Sequence, residues 1–166
     1  MNADITGEYF PAVAHAWLAN PAEADVVAAL LSQFRDWMGR ASPADDRIRS
    51  GVEHLIADPS TEYLLGAAET GAPATGVCQL RYRYGIWHSA TDCWLEDLYV
   101  NDATRRSGLG RALVQAAAAR ARERACARVE LDVSESNPPA LALYEALGFA
   151  TGKDSGSRDL LMRLPL

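Results

Sequence analysis

Three sets of residues have types and spacing suited to chemistry. In RRSGLG, Arg105, Gly108 and Gly110 stand as Arg-x-x-Gly-x-Gly, between the strand-like WLEDLYV and the helix-like RALVQAAAARA. Glycines there let backbone N–H groups approach a ligand with no Cβ in the way. The helix start adds unpaired N–H donors and a positive dipole end. With Arg105, Arg106 and Arg111 the segment suits a phosphate or pyrophosphate. It is not a Walker loop, because no Gly-Lys-Ser/Thr follows, and not a dinucleotide fingerprint, because position 113 is Leu. Without a ligand, the same residues make a tight turn with solvated arginines. The second set is Glu96 and Asp97. Neighbours on a strand point to opposite faces, so only one of them can face a given pocket squarely. The third is Asn137, Ala140, Tyr144, Gly148 and Phe149 in ESNPPALALYEALGF. A phenol there can donate a proton at neutral pH and a strand carboxylate can take one up.

The hydrophobic pattern supplies the elements that carry these groups. Val13–Leu18 reads as a first strand after a loose arm over 1–10. A helix follows from Asn20 to Gly39, with Asn20 as N-cap, Pro21 in the first turn and Glu23 as the capping carboxylate. Val26, Leu30 and Phe34 form its apolar stripe, broadened by Val27, Leu31 and Met38. A second helix runs from Pro43 or Ala44 to about Ala57, with Ile48, Val52, Leu55 and Ile56 inward and Pro59 as its stop. Thr61–Ala68 and Thr75–Tyr84 read as a hairpin, and Asp92–Val100 as a third strand. Gly108–Ala125 is a helix, Val129–Val133 a short strand, and a helix from Pro138 or Pro139 closes at Gly148. Asp159–Leu164 is expected as a last strand. The sum is one α/β (α+β) domain over 1–166.

At 166 residues the chain is one domain's length, and its 49% hydrophobic and 23% charged composition is globular. Its net charge of −6 argues against a general nucleic-acid binder. Residues 1–102 carry 15 acids and six bases, a net of −9, whereas 103–166 carry a net of +3. Cys78, Cys93 and Cys126 match no metal-pair spacing and are expected as buried, reduced thiols, which fits a cytoplasmic setting. No secretory signal, membrane span or metal site is expected.

LEDLYV, RRSGLG, Asn137 and the Tyr144…Gly148-Phe149 ending together resemble the GNAT superfamily of acetyl-CoA-dependent N-acetyltransferases, strongly over about Asp92 to Ala150. The resemblance implies a mixed, mainly antiparallel sheet of six to seven strands flanked by helices. It also implies acetyl-CoA as co-substrate, with no metal. Cofactor-binding roles would fall to the backbone of Leu98, Tyr99 and Val100 along the pantetheine arm. The loop Arg105, Arg106, Ser107, Gly108, Leu109, Gly110, Arg111 would wrap the pyrophosphate, with Asn137 and Ala140 near the pantetheine. Tyr144 would sit beside the thioester sulfur. The family often has Gly and Lys or Arg where this chain has Arg106 and Ser107.

An alkylammonium with a pKa of about 10 must lose a proton before it attacks a thioester. Glu96 is the favoured base, through a water, with Asp97 helping to bind a cationic acceptor. His88 is an alternative base, and Tyr84, Trp87 and His88 are expected to line the acceptor pocket by cation–π contact. Trp17, Trp37 and Trp94 are read as structural. LEDLYV and Tyr84-Trp87 are similar to the polyamine and thialysine branch, and Glu135-Ser136-Asn137 to a histone-acetyltransferase-like branch. The acceptor is therefore expected to be a small polyamine-like or amino-acid-like amine, with a protein lysine or N-terminus as the alternative. A non-catalytic acyl-CoA sensor and a nucleic-acid module built on the arginine-rich helix are the rivals from other classes. A homodimer is expected from family habit.

Overall fold

Asn20 starts the first helical segment as its neighbours require. Its Oδ1 accepts from the Ala22 N–H at 2.9 Å, and the Glu23 carboxylate accepts from the Asn20 N–H at 2.9 Å. This capping box opens a short 3-10 turn, Pro21–Glu23, which runs into α1, Ala24–Trp37. The computed structural model describes residues 13–151 together with Met162 and Leu164. Its elements are β1 His15–Leu18, α1, α2 Asp45–Ile56, β2 Thr61–Ala67, β3 Gly76–Gly85, β4 Ala90–Val100, α3 Leu109–Glu123, β5 Val129–Glu130 and α4 Pro138–Glu145. The sheet order is β1-β2-β3-β4-β5, antiparallel through β4 and parallel between β4 and β5.

The described residues give five strands where six to seven are expected. The expected arm over 1–10 lies outside them, as does most of the Asp159–Leu164 strand. The fifth strand ends at Glu130 rather than Val133 because it pairs with β4 only at Cys93 and Trp94 and then leaves it.

Helices cover both faces. On one, α3 and α4 pack over Leu64, Cys78, Leu80, Cys93 and Leu95. On the other, α1 and α2 pack over Tyr63, Leu65, Val77 and Tyr99, with Ile48, Val52, Leu55 and Ile56 of α2 turned inward as expected. Along α1 the buried stripe is Val27, Ala28 and Leu30, flanked by Leu31 and Phe34, whereas Val26 and Met38 are exposed. Val26 lies one position from Val27, about 100° around the helix, and so falls at the margin of the covered face. The α3 helix sits unusually low on the sheet. A Cβ at Gly66 would lie 2.8 Å from Leu109 Cδ1, and one at Gly76 would lie 2.9 Å from Leu113 Cδ1. These two glycines let α3 approach, and its N-terminus is fixed through buried Leu109. No helix among the described residues is long and apolar enough to cross a membrane.

Candidate active site

One extra residue in β4 builds the centre of the site. Leu80 pairs with Leu95 and Gln79 with Asp97, so Glu96 is a bulge with no partner of its own on β3. The bulge has two consequences. Leu95 and Leu98 both pack toward α3 and α4, so Glu96 and Asp97 between them share the opposite face, toward α1 and α2. The sequence expectation that adjacent carboxylates must diverge is thereby corrected, because period-two alternation fails at a bulge. The second consequence concerns the backbone. The Cys93 N–H donates to Arg128 O, toward β5, whereas the Asn101 N–H donates to Thr75 O, toward β3. Both are odd-numbered, and only the extra residue lets them face opposite edges. From Leu95 onward β4 has lost β5, and there Leu98 and Val100 turn their peptide groups to the open edge. Tyr99 turns its own toward Val77 of β3, and its ring stacks on Phe34 at 5.4 Å. Of the three expected backbone contacts, Leu98 is therefore available at the edge, whereas the Val100 carbonyl already accepts from Arg105.

Asp97 forms the end of a cleft of about 340 Å³ between α1, α2 and the sheet. Phe34, Ile48, Val52, Tyr63 and Gln79 line it, with Arg35, Arg40 and Arg47 on the helix side. Burial and then the neighbouring Glu96 charge push the Asp97 carboxyl up to about 6, against a smaller opposing pull from Arg40. Glu96 itself is exposed. Burial, then the Asp97 charge, raises the Tyr63 phenol, which stays neutral.

The glycine loop follows β4 after a 3-10 turn at Asp102–Thr104. Arg105 does not reach forward. Its Nε donates to Val100 O at 3.1 Å, its Nη2 bonds Asp102 at 2.8 Å, and its guanidinium lies 4.8 Å over the Trp37 ring. Its side chain thus fastens the end of β4 to the end of α1. Ser107 Oγ donates to Thr104 O at 2.7 Å. Arg106 has φ +63° and Gly108 has φ +88°, so the backbone is left-handed at both. Glycine adopts this conformation freely and arginine does so at a cost of about 1–2 kcal/mol. Gly110 faces Leu143 of α4 at 3.4 Å from its would-be Cβ. The first α3 N–H groups, with exposed Arg106 and Arg111 beside them, form an electropositive cradle at the open end of β4.

Across the opening, Asn137 caps α4 by accepting from the Ala140 N–H at 3.3 Å. Tyr144 is buried against Phe149, edge to face at 5.6 Å. Burial, then the nearby Cys78 and Asp132, pushes its phenol up to about 12. Asp132, just beyond β5, also raises Asp97. One carboxylate is therefore within electrostatic reach of both the phenol on the α4 side and the carboxyl on the α1/α2 side. The gap between β4 and the chain after β5 joins the two faces.

Other expected residues lie elsewhere. Tyr84, Trp87 and His88 are at the β3–β4 hairpin tip, about 20 Å along the strand from Asp97. Trp87 is 97% exposed, and His88 is tied to buried Asp92 at 3.1 Å. They do not line this cleft. Arg120 and Arg124 converge on Glu62, and Arg128 bonds Asp92 and Glu130, so those arginines are taken up by the protein itself. Trp17 donates to Glu23 and Trp94 lies under Arg83, both structural as expected, whereas Trp37 is half exposed beneath Arg105. The sequence reading did not single out Arg40, Arg47, Tyr63, Gln79 or Asp132. Position 79 lies opposite the bulge and could be found only once the β3–β4 register is known.

Comparison with known proteins agrees with this geometry. The sequence profile of the Acetyltransferase (GNAT) family matches residues 26–149. The chain is similar to thialysine N-epsilon-acetyltransferase of Caenorhabditis elegans, 33% identical over 119 residues, 72% of this chain and 70% of that protein. It is 29% identical to the Bos taurus thialysine N-epsilon-acetyltransferase over 62% of this chain and 66% of that protein. It is 38% identical to the streptothricin acetyltransferase of Streptomyces lavendulae over 63% of this chain and 52% of that protein. The match thus spans about two thirds of the bovine protein's length and about half of the Streptomyces one's. Among solved structures, a candidate acetyltransferase of Arthrobacter sp. FB24 superposes with a TM-score of 0.80 at 30% identity, covering 91% of this chain and 94% of that one. The aminoglycoside N-acetyltransferase AAC(6′)-Iy, solved with CoA, shares the fold at a TM-score of 0.76 and 18% identity, over 95% of this chain and 99% of that one. A β4 bulged at Glu96 and parted from β5, a left-handed glycine loop at the head of α3, and a profile match over most of the chain agree: this protein belongs to the GNAT acetyltransferase family.

Proposed function

We propose that the protein moves an acetyl group from acetyl-CoA to the primary amine of a small molecule by direct attack. The observation that carries this reading is the opening where β4 has parted from β5, with the Asp97 carboxyl on its α1/α2 side and the Tyr144 phenol on its α3/α4 side. When bound, acetyl-CoA supplies the activated thioester. The residues present suit it: unpaired N–H groups and Arg106 and Arg111 for the pyrophosphate, and the Leu98 and Val100 edge for the pantetheine arm. Asn137 and Ala140 stand at the head of α4 beside that edge, while Arg105, Ser107, Gly108, Leu109 and Gly110 set the loop's shape.

Asp97 takes a proton from the incoming ammonium. Its value of about 6 leaves it mostly ionised at neutral pH yet basic enough to accept. Glu96, favoured from sequence, acts on Asp97 through its charge and adds attraction for a cation. Tyr144, at about 12, holds its proton against a thiolate whose own value is about 8.5. It therefore steadies the departing sulfur by a donated hydrogen bond. The nitrogen's second proton, lost as the amide forms, completes the thiol. The reading includes a cytosolic setting, supported by three free cysteines, and a homodimer by family habit.

The test is thiol release from acetyl-CoA across spermidine, lysine analogues, aminoglycosides and a basic peptide. Turnover of a small amine supports the reading. Acetyl-CoA binding with every amine inert favours the sensor. Tyr144→Phe should lower kcat about 10- to 100-fold, the worth of one hydrogen bond to a charged group, with CoA affinity retained.

A further inference from the structure

Four arginines surround the α1–α2 connection, and among the described residues ion pairs hold two of them. Arg35 is held by Asp36 at 2.6 Å, Asp45 at 2.7 Å and the Pro43 carbonyl at 2.7 Å. Arg49 is held by Asp25 at 2.9 Å and Glu53 at 3.3 Å. Arg40 and Arg47 line the cleft that ends at Asp97, and among the described residues neither guanidinium has a carboxylate partner. Arg40 is near enough for its charge to act on Asp97.

The cleft is therefore bipolar. It has guanidinium groups on the helix side and the Asp97 carboxyl on the sheet. A polyamine, cationic at every nitrogen, meets the first of these as like charge. An amine with an oxyanion at its other end complements both.

We propose that the acceptor is a small amine bearing an oxyanion, a carboxylate or a phosphate, which Arg40 and Arg47 bind while Asp97 receives the amine. The proposal rests on the acetyltransferase reading above and narrows it. Guanidinium groups engage planar or tetrahedral oxyanions through paired N–H bonds, which adds direction to the charge attraction. A cleft of about 340 Å³ has room for a molecule the size of an amino acid.

The test uses the CoA-loaded protein. It is titrated calorimetrically with 5-aminopentanoate, its neutral amide 5-aminopentanamide, cadaverine and 2-aminoethyl phosphate, and the same amines are assayed for thiol release. One of the two anionic amines should bind about tenfold more tightly than the amide and cadaverine, the scale of one partly exposed ion pair, and which one it is identifies the oxyanion. An Arg40→Gln, Arg47→Gln double variant should erase that preference. Equal binding of all four, preference for cadaverine, no binding by any, or a preference that survives in the double variant would overturn the proposal. An anion preference in binding with no turnover of any amine keeps the anion site and sinks the acetyltransferase reading. Turnover of cadaverine with no anion preference does the reverse.

Discussion

The Asp97 carboxyl is raised by its surroundings, and in the base role proposed for it that has consequences for both rate and stability. Burial and the Glu96 charge lift it from 3.8 to about 6, so activity through an ionised Asp97 should fall as pH drops through about 6. Glu96→Gln removes the like charge, and the acid limb of kcat/KM should move to lower pH. Asp97→Asn should abolish that limb and lower kcat about 10²- to 10⁴-fold, as expected when a general base is lost. An unshifted limb in Glu96→Gln would remove Asp97 from the base role. For stability, a carboxyl raised on folding carries a cost that is absent below the unfolded value of 3.8 and fully present above about 6. That cost is at most about 3 kcal/mol. Asp97→Asn should therefore melt above the wild type near neutral pH and match it below pH 3.8, as thermal scans at both values will show.

At the scale of elements, the loop into α3 sets backbone strain against charge. Arg106 occupies a left-handed conformation at φ +63°. Arg106→Gly should stabilise the fold by about 1 kcal/mol, because glycine has no Cβ to strain there. It also removes one of the two guanidiniums not consumed by the protein in that cradle, so CoA affinity should fall several-fold and the loss should shrink as salt rises. Denaturant midpoints and CoA titrations in low and high salt measure the two effects separately. The β4 bulge is the other device of this scale. It places Glu96 and Asp97 on one face and Leu98 on the open edge at once, so the carboxyl pair and the open edge depend on the same inserted residue.

The molecule as a whole depends on a polar link distant from the reaction. Glu62 of β2 accepts from Tyr82 Oη at 2.8 Å, Arg120 Nη2 at 2.6 Å and Arg124 Nη1 at 2.9 Å, and Arg124 also lies 4.0 Å over the Tyr82 ring. Burial alone would raise the Glu62 carboxyl, but the bonds from Arg120, Tyr82 and Arg124 outweigh it and hold the group below its ordinary range. The stability it contributes is present above the ordinary glutamate value of 4.5 and is lost as pH falls through the lowered folded value. Glu62→Gln should cost about 3 kcal/mol near neutral pH, the low end for breaking a buried pair, since both arginines keep some water contact. The difference from wild type should vanish under acid. Denaturant unfolding at both pH values checks this. The link also explains why counting charge along the chain misleads. Arg120, Arg124 and Arg128 belong to internal pairs, and the acidic first part of the chain, 1–102, contains the arginines that line the cleft.

Local signals settled much of this protein. Asn20, Glu23 and Pro21 marked the start of α1, Pro138 that of α4, and the runs Thr61–Ala68 and Thr75–Tyr84 the β2–β3 hairpin. The strand–turn–helix around Arg-x-x-Gly-x-Gly and the helix bearing Tyr144 were legible because they depend on residue type and short spacing. What the sequence could not decide is what depends on register between distant segments. The bulge at Glu96 is a fact about β3 and β4 together, so neither the shared face of Glu96 and Asp97 nor the turning of Tyr99's backbone away from the edge could be read from β4 alone. Tyr84, Trp87 and His88 have the right chemistry for an acceptor wall, and strand length carries them to the far end of the hairpin. Arg40 and Arg47 carry no local mark, and only the packing of α1 and α2 against the sheet brings them into one cleft with Asp97. Type and spacing act within one element, whereas a pocket is assembled from several, and its geometry exists only once the chain has closed.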